Sequence, residues 1–120
     1  VGIDSGFNHL VRPTMYGAYH QILNASRNSA AEKDVVVVGN ICESGDILSR
    51  SGDEIQRRLP SPVIGDRLAF LDVGAYGFSM SSQYNFRPRP AEVLVHQGQS
   101  RLIRRAESFE DLTQGFVDFN

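Results

Sequence analysis

The sequence predicts a mainly β fold, a sandwich or barrel with a few short helices. Short apolar runs alternate with turn residues along the chain, which is typical of antiparallel β domains. The length of 120 residues and the 41% hydrophobic content suit one folded core, so we expect residues 1–120 to form a single domain. The charged fraction of 22% is ordinary and argues against a disordered chain.

Four segments are predicted to be strands. The four consecutive valines of Asp34–Val38 suggest a strand that is buried on both faces. Arg67–Tyr76 follows a Gly-Asp turn and is a second candidate. Ala91–Val95 and Ser100–Arg105 flank a short loop that contains glycine, so we expect them to form a hairpin.

The remaining segments are predicted to be short helices and loops. Ser108 followed by Asp111 is a typical helix start, and Gly115 is expected to end that helix after about two turns. Two polar segments are predicted loops, Asn24–Lys33 and Ser44–Pro62, with at most a brief helix over Gly52–Leu59.

Charge and cysteine content narrow the function classes. A net charge of −2 gives no broad positive field for nucleic acid or a membrane surface. The single cysteine, Cys42, excludes an internal disulfide and predicts a reducing compartment, by default the cytoplasm. The chain starts at Val1 without a methionine or a signal peptide, so we expect it to be a piece of a longer protein.

Cys42 and Glu43 place a thiol beside a carboxylate just after the valine run. One interpretation is a buried, inert thiol, because free cysteine is among the most buried residue types. The other is a proton donor, since a neighbouring carboxylate disfavours the thiolate and ordinary thiols are mostly protonated at neutral pH. No spacing ties a histidine to Cys42, which argues against a Cys–His nucleophile.

Two further clusters carry polar groups. Arg12 and Tyr16 are four residues apart, and Pro13 fits a first helical turn, so one helix face could present both side chains to an anion. A surface arginine over a packed tyrosine is the alternative. Gly74–Asn85 combines small residues with two tyrosines, which suits either a ligand-binding loop or a tight bend with inward tyrosines. His20, in the first cluster, is predicted to be structural.

Taken in order, RPTMYGAYH, GNICESGDIL, GDRLAFLDVGAYGFSMSSQYN and RPRPAEVLV resemble the C-terminal domain of the diaminopimelate decarboxylases, pyridoxal-phosphate enzymes that make lysine. The resemblance covers nearly the whole chain, including the opening VGIDSGFNHL. It implies a C-terminal β-sandwich or Greek-key barrel-like domain, packed in the parent enzyme against an N-terminal (β/α)8 barrel. It also implies a homodimer with shared active sites.

The resemblance also implies roles for individual residues. Cys42 would enter the partner subunit's site and donate a proton to Cα after carbon dioxide leaves. Glu43 would bind the ammonium at the far end of the substrate, and Arg12 and Tyr16 would bind the far carboxylate. Tyr76 would contact both the cofactor and the substrate. No metal is implied.

The family tethers pyridoxal phosphate through a lysine, and the only lysine here is Lys33, in a predicted loop outside these motifs. The 120-residue chain alone is therefore expected to be inactive. Two alternatives remain at this point: a related decarboxylase for another amino acid or a carrier-bound substrate, and a binding or dimerisation module without catalysis.

Overall fold

The computed structural model describes residues 1–117, which fall into two compact units, Val1–Ser81 and the residues from Ser82 onward. Within these residues, six strands form three two-stranded antiparallel sheets, accompanied by short helices. The predicted mainly β fold with a few short helices is confirmed. No helix among residues 1–117 is long and apolar enough to cross a membrane.

The first unit contains two of the sheets. Its elements in chain order are α1 (Arg12–Tyr16), β1 (Ile22–Asn24), β2 (Glu32–Val36), β3 (Gln56–Pro60), β4 (Leu68–Phe70) and α2 (Gly77–Met80). Strand β1 pairs with β4, so that Leu23 lies opposite Ala69, and β2 pairs with β3, so that Asp34 lies opposite Arg58. Helix α1 starts with Pro13 in its first turn and ends at Gly17, whose φ of 61° is left-handed.

Among the described residues, the hydrophobic core lies in the first unit, and two of its side chains flank one loop. They are Leu10, Val11, Ile22, Val37, Ile41, Leu48 and Leu59. Ile41 and Leu48 stand on either side of residues 42–47, so both ends of that loop are fixed in the core. Residues 42–44, in the middle of the loop, therefore lie at the surface, while both ends of the loop are held by buried side chains.

The second unit contains the predicted hairpin and terminal helix. Strands β5 (Glu92–His96) and β6 (Gln99–Arg104) are joined by Gln97 and Gly98, which both have positive φ, as a two-residue hairpin turn requires. A single 3-10 turn precedes them at Tyr84–Phe86. Helix α3 (Phe109–Thr113) begins with the predicted Ser108 cap, and Asp111 completes a capping box.

Several predicted boundaries are wrong. The Gly52–Leu59 segment contains no helix, and its second half belongs to β3. The strand predicted over Asp34–Val38 runs over Glu32–Val36 instead. Its residues are exposed to half-buried, because β2 pairs with a single partner strand and therefore lies at an edge of its sheet. The loop predicted over Asn24–Lys33 starts in β1 and ends in β2, and of Arg67–Tyr76 only Leu68–Phe70 is strand.

Candidate functional site

Cys42 lies on the loop that follows the valine run and is exposed to solvent. Of the two interpretations of Cys42, the buried, inert thiol is therefore wrong. The side chain of the preceding residue, Ile41, is only 8% exposed and anchors the loop in the core. Next to the thiol, Glu43 is exposed, and its Oε1 accepts a hydrogen bond from the backbone N–H of Gly45 at 3.2 Å. The loop thus presents a thiol and a carboxylate on the same surface.

A buried carboxylate, Asp46, holds this loop in shape. It is 4% exposed and accepts hydrogen bonds from two backbone N–H groups, of Phe7 at 2.7 Å and of Ile41 at 2.9 Å. Hydrogen bonds to an ionised acceptor are shorter and stronger than those between neutral groups. Asp46 therefore joins the loop to the first residues of the chain and satisfies two backbone donors at once.

Two glycines make room for the Asp46 carboxylate. A Cβ on Gly39 would lie 2.1 Å from Oδ2 of Asp46, and a Cβ on Gly6 would lie 2.4 Å from Cγ1 of Ile41. Such distances are far below van der Waals contact, so neither position accommodates a side chain without movement of the loop. Glycine at these positions lets three backbone segments approach one carboxylate.

Helix α1 lies directly against the Cys42 loop. The hydroxyl of Thr14 donates a hydrogen bond to the carbonyl oxygen of Gly45 at 2.8 Å. At the end of the helix, the N–H of Gly52 donates to the carbonyl oxygen of Gly17 at 2.8 Å. Helix α1 is therefore fixed at two points along residues 45–52. The predicted helix carrying Arg12 and Tyr16 is confirmed, and Tyr16 is 62% exposed.

Arg12 also contacts a residue of the Gly74–Asn85 cluster. The guanidinium of Arg12 lies over the ring of Tyr76, 5.7 Å from its centroid, which is within cation–π range. Tyr76 has a left-handed φ of 65° just before α2 and is 59% exposed, so its ring does not pack inward as one alternative held. Tyr84, the other tyrosine of that sequence cluster, lies in the second unit.

The first unit therefore brings together three groups of polar residues that are far apart in the sequence: Arg12 and Tyr16, Cys42 and Glu43, and Tyr76. Thr14 joins α1 to the loop of Cys42 and Glu43, while Arg12 joins the same helix to Tyr76. The elements that carry a thiol, a carboxylate, a guanidinium and two phenol groups are therefore in contact. Such a set can donate a proton, bind an ammonium and bind a carboxylate. His20 is buried, and its Nδ1 is 3.0 Å from the carbonyl oxygen of Leu71, as expected of a structural histidine.

Sequence reasoning assigned no role to two residues that build this site, Thr14 and Asp46. Asp46 sits four residues after Cys42 in a Gly-Asp pair, which reads locally as ordinary turn chemistry. Thr14 gives no signal of its own, because its partner Gly45 is 31 residues away in the chain. Both depend on contacts that no local pattern encodes.

Strongly displaced pKa values occur in the second unit. Hydrogen bonds from the side chain and the backbone N–H of Arg89, together with one from Gln83, hold the pKa of Glu107 at about 2. The paired guanidinium of Arg105 and the backbone N–H of Ser108 lower the pKa of Asp111 in the same way. These ion pairs connect the residues that flank the hairpin, Arg89 and Arg105, to α3 and the segment before it.

Comparisons with known proteins agree on one kind of domain. A family model described as "Pyridoxal-dependent decarboxylase, C-terminal sheet domain" matches residues 1–74. The chain is 53% identical over 116 residues to diaminopimelate decarboxylase from Methanothermobacter thermautotrophicus, covering 95% of this chain and 26% of that protein. It is 51% identical over 115 residues to the Archaeoglobus fulgidus enzyme of the same name, with coverages of 95% and 26%.

A solved structure shows the same similarity in three dimensions. Diaminopimelate decarboxylase from M. jannaschii in complex with L-lysine superposes with a TM-score of 0.86 at 41% identity, covering 98% of this chain and 26% of that one. The chain thus spans about a quarter of the length of the relatives that it matches.

Proposed function

The chain belongs to the family of C-terminal sheet domains of pyridoxal-dependent decarboxylases, and on that premise we propose that it is part of a diaminopimelate decarboxylase. The parent enzyme would convert meso-2,6-diaminopimelate to L-lysine and carbon dioxide. This chain would supply the proton donor and the contacts to the far end of the substrate. The relative from M. jannaschii has L-lysine bound, which is the product of that reaction.

The observation that carries this proposal is the junction of the three clusters around α1. Arg12, Cys42 and Tyr76 are far apart in the sequence, yet the Thr14–Gly45 hydrogen bond and the Arg12–Tyr76 contact bring their elements together. This combination of groups on contacting elements supports a role in substrate binding and catalysis over a purely structural or dimerisation role.

The substrate's chemistry matches the side chains. Beyond its reacting carbon, diaminopimelate carries a second carboxylate and a second ammonium. Arg12 offers a planar guanidinium fork and Tyr16 a hydroxyl donor for that carboxylate, both from one short helix. Glu43 offers a carboxylate for the ammonium and is held close to the thiol by its own loop. A substrate that lacked the far carboxylate would leave Arg12 without its ligand.

Cys42 is the proposed proton donor. The thiol is exposed on a loop whose base is fixed by Asp46, so it can reach outward to a substrate held elsewhere in the enzyme. Its S–H proton would pass to Cα of the substrate after carbon dioxide leaves. A correctly positioned general acid contributes roughly 10²–10⁴-fold to the rate.

Pyridoxal phosphate would be held mainly by the parent enzyme. The only lysine of this chain, Lys33, lies on strand β2 opposite Leu59, not in a loop as predicted, and outside the three clusters. It does not fit a covalent tether, so the chain alone would neither hold the cofactor nor decarboxylate. The exposed ring of Tyr76 does fit a non-covalent contact. When bound, the cofactor supplies the electron sink that decarboxylation needs.

The proposed assembly is a homodimer in the cytoplasm, in which this domain packs beside its own N-terminal (β/α)8 barrel. Cys42 would complete the active site of the second subunit. The single cysteine suits a reducing compartment. The small net charge of −2 suits a small-molecule substrate rather than nucleic acid or a membrane.

The test is steady-state kinetics of the full-length enzyme with Cys42→Ala. We expect kcat for meso-diaminopimelate to fall roughly 10²–10⁴-fold while KM changes little, because a general acid acts in the reaction and not in binding. Ser29→Ala, an exposed loop substitution, is the control and should keep wild-type rates. Unchanged turnover in Cys42→Ala would remove the proton-donor role, and a preference for ornithine or arginine would remove the roles of Arg12 and Tyr16.

A further inference from the structure

We propose that Thr14 is a positioning residue that fixes the distance between the Cys42 loop and the substrate-binding helix α1. This inference rests on the proposed function and extends it to a residue that touches neither substrate nor cofactor. Its hydroxyl donates to the carbonyl oxygen of Gly45 at 2.8 Å, three residues after Cys42 and two after Glu43.

The two elements meet closely at this point. A Cβ on Gly45 would lie 3.0 Å from Cγ2 of Thr14, which is tighter than most real contacts of this kind. The methyl and the hydroxyl of Thr14 therefore both face the Cys42 loop. A shift at this contact therefore moves the loop that carries the proposed proton donor.

Other contacts fix the two elements separately. Helix α1 is held at its C-terminal end by the Gly52–Gly17 backbone hydrogen bond and by the buried ring of Pro13. The loop is held at its base by Asp46. Loss of the Thr14 hydroxyl should therefore leave α1 in place and free the exposed middle of the loop. The expected defect is in proton delivery by Cys42 and in the ammonium contact of Glu43, not in binding of the far carboxylate.

The test compares Thr14→Val with Thr14→Ser in the full-length enzyme. Valine keeps the shape of the side chain but not the donor, whereas serine keeps the donor. One neutral hydrogen bond contributes about 0.5–1.5 kcal/mol, so we expect kcat to fall about 3–10-fold in Thr14→Val, with KM rising through the Glu43 contact and both parameters restored in Thr14→Ser. The matched control is Thr113→Val, which removes a hydroxyl that, among residues 1–117, donates to carbonyl oxygens of α3.

A double-mutant cycle separates positioning from general destabilisation. If Thr14 acts through the thiol, Thr14→Val should have no further effect on kcat in the Cys42→Ala background. An equal fold-loss in both backgrounds would overturn the proposal. If Thr14→Val does not fold, Thr14→Ala takes its place in the same comparison with Thr14→Ser.

Hydrogen–deuterium exchange gives a readout that does not depend on activity. Exchange of the backbone N–H groups of residues 41–47 should accelerate about 3–10-fold in Thr14→Val and stay at the wild-type rate in Thr14→Ser and Thr113→Val. Unchanged exchange in Thr14→Val would refute the inference. Failure of the wild-type enzyme to decarboxylate diaminopimelate would refute the proposed function alone, since faster exchange in Thr14→Val would still support the Thr14 contact.

Discussion

Replacement of Asp46 by alanine tests whether one buried carboxylate holds the Cys42 loop. The substitution leaves the backbone N–H groups of Phe7 and Ile41 without their acceptors, which lie at 2.7 and 2.9 Å in the folded chain. An unsatisfied buried donor costs about 1–3 kcal/mol, so the loss of both acceptors in Asp46→Ala should lower the free energy of unfolding by about 2–6 kcal/mol. Asp46→Asn keeps one acceptor oxygen and should lose roughly half as much.

Urea unfolding of the 120-residue chain, followed by circular dichroism, measures this loss. With an m-value of about 2 kcal/mol/M, the middle of the usual range, the midpoint for Asp46→Ala should fall by about 1–3 M. Asp53→Asn changes an exposed aspartate of the same unit and should stay within about 0.5 kcal/mol of the wild type. If Asp46→Ala unfolded at the same urea concentration as Asp53→Asn, the reasoning about the buried carboxylate would be refuted.

Two further predictions concern steric fit and acid stability. Gly39→Ala should destabilise the chain by about 1–3 kcal/mol in the same urea assay, because the added Cβ would clash with the Asp46 carboxylate. Gly115→Ala is the control, since a Cβ there meets no atom of the described residues within 4 Å. Equal urea midpoints for the two variants would contradict the prediction. The pKa of Glu107 is about 2 in the folded chain, below its ordinary value of 4.5, and this difference should stabilise the fold fully above about pH 5. That stabilisation should disappear as the pH falls through about 2. In Glu107→Gln the free energy of unfolding should depend less on pH between about 5 and 2, because the carboxylate that pairs with Arg89 is gone. The same pH dependence in the variant and the wild type would show that this ion pair has no effect.

Local sequence signals were reliable where the structure itself is local. Helix α1 follows from Pro13 in its first turn and Gly17 at its end, and the hairpin follows from a two-residue turn that includes Gly98. The capping box of α3 lies within four consecutive residues, Ser108 to Asp111. In each case the residues that determine the conformation are neighbours in the chain. The resemblance to the decarboxylases likewise depended on short motifs in a fixed order.

Strands that depend on distant partners were predicted less well. Gln56–Pro60 contains two arginines and gives no strand signal, but it becomes β3 because it pairs with β2, from which it is separated by about twenty residues. Ile22–Asn24 was missed for the same reason, since its partner is β4. Pairing across such distances is a tertiary contact that overrides local propensity.

The sequence by itself determined the fold class and the family, and it pointed to the residues that are proposed to carry the chemistry, because motif order and turn residues can be read along the chain. Only the tertiary structure decided that Cys42 is exposed, that Asp46 is the buried support of its loop, and that Thr14 joins this loop to α1. The physical reason is that burial and hydrogen bonding depend on which segments meet in space. Contacts such as Thr14–Gly45 and Arg12–Tyr76 exist only after the chain has folded.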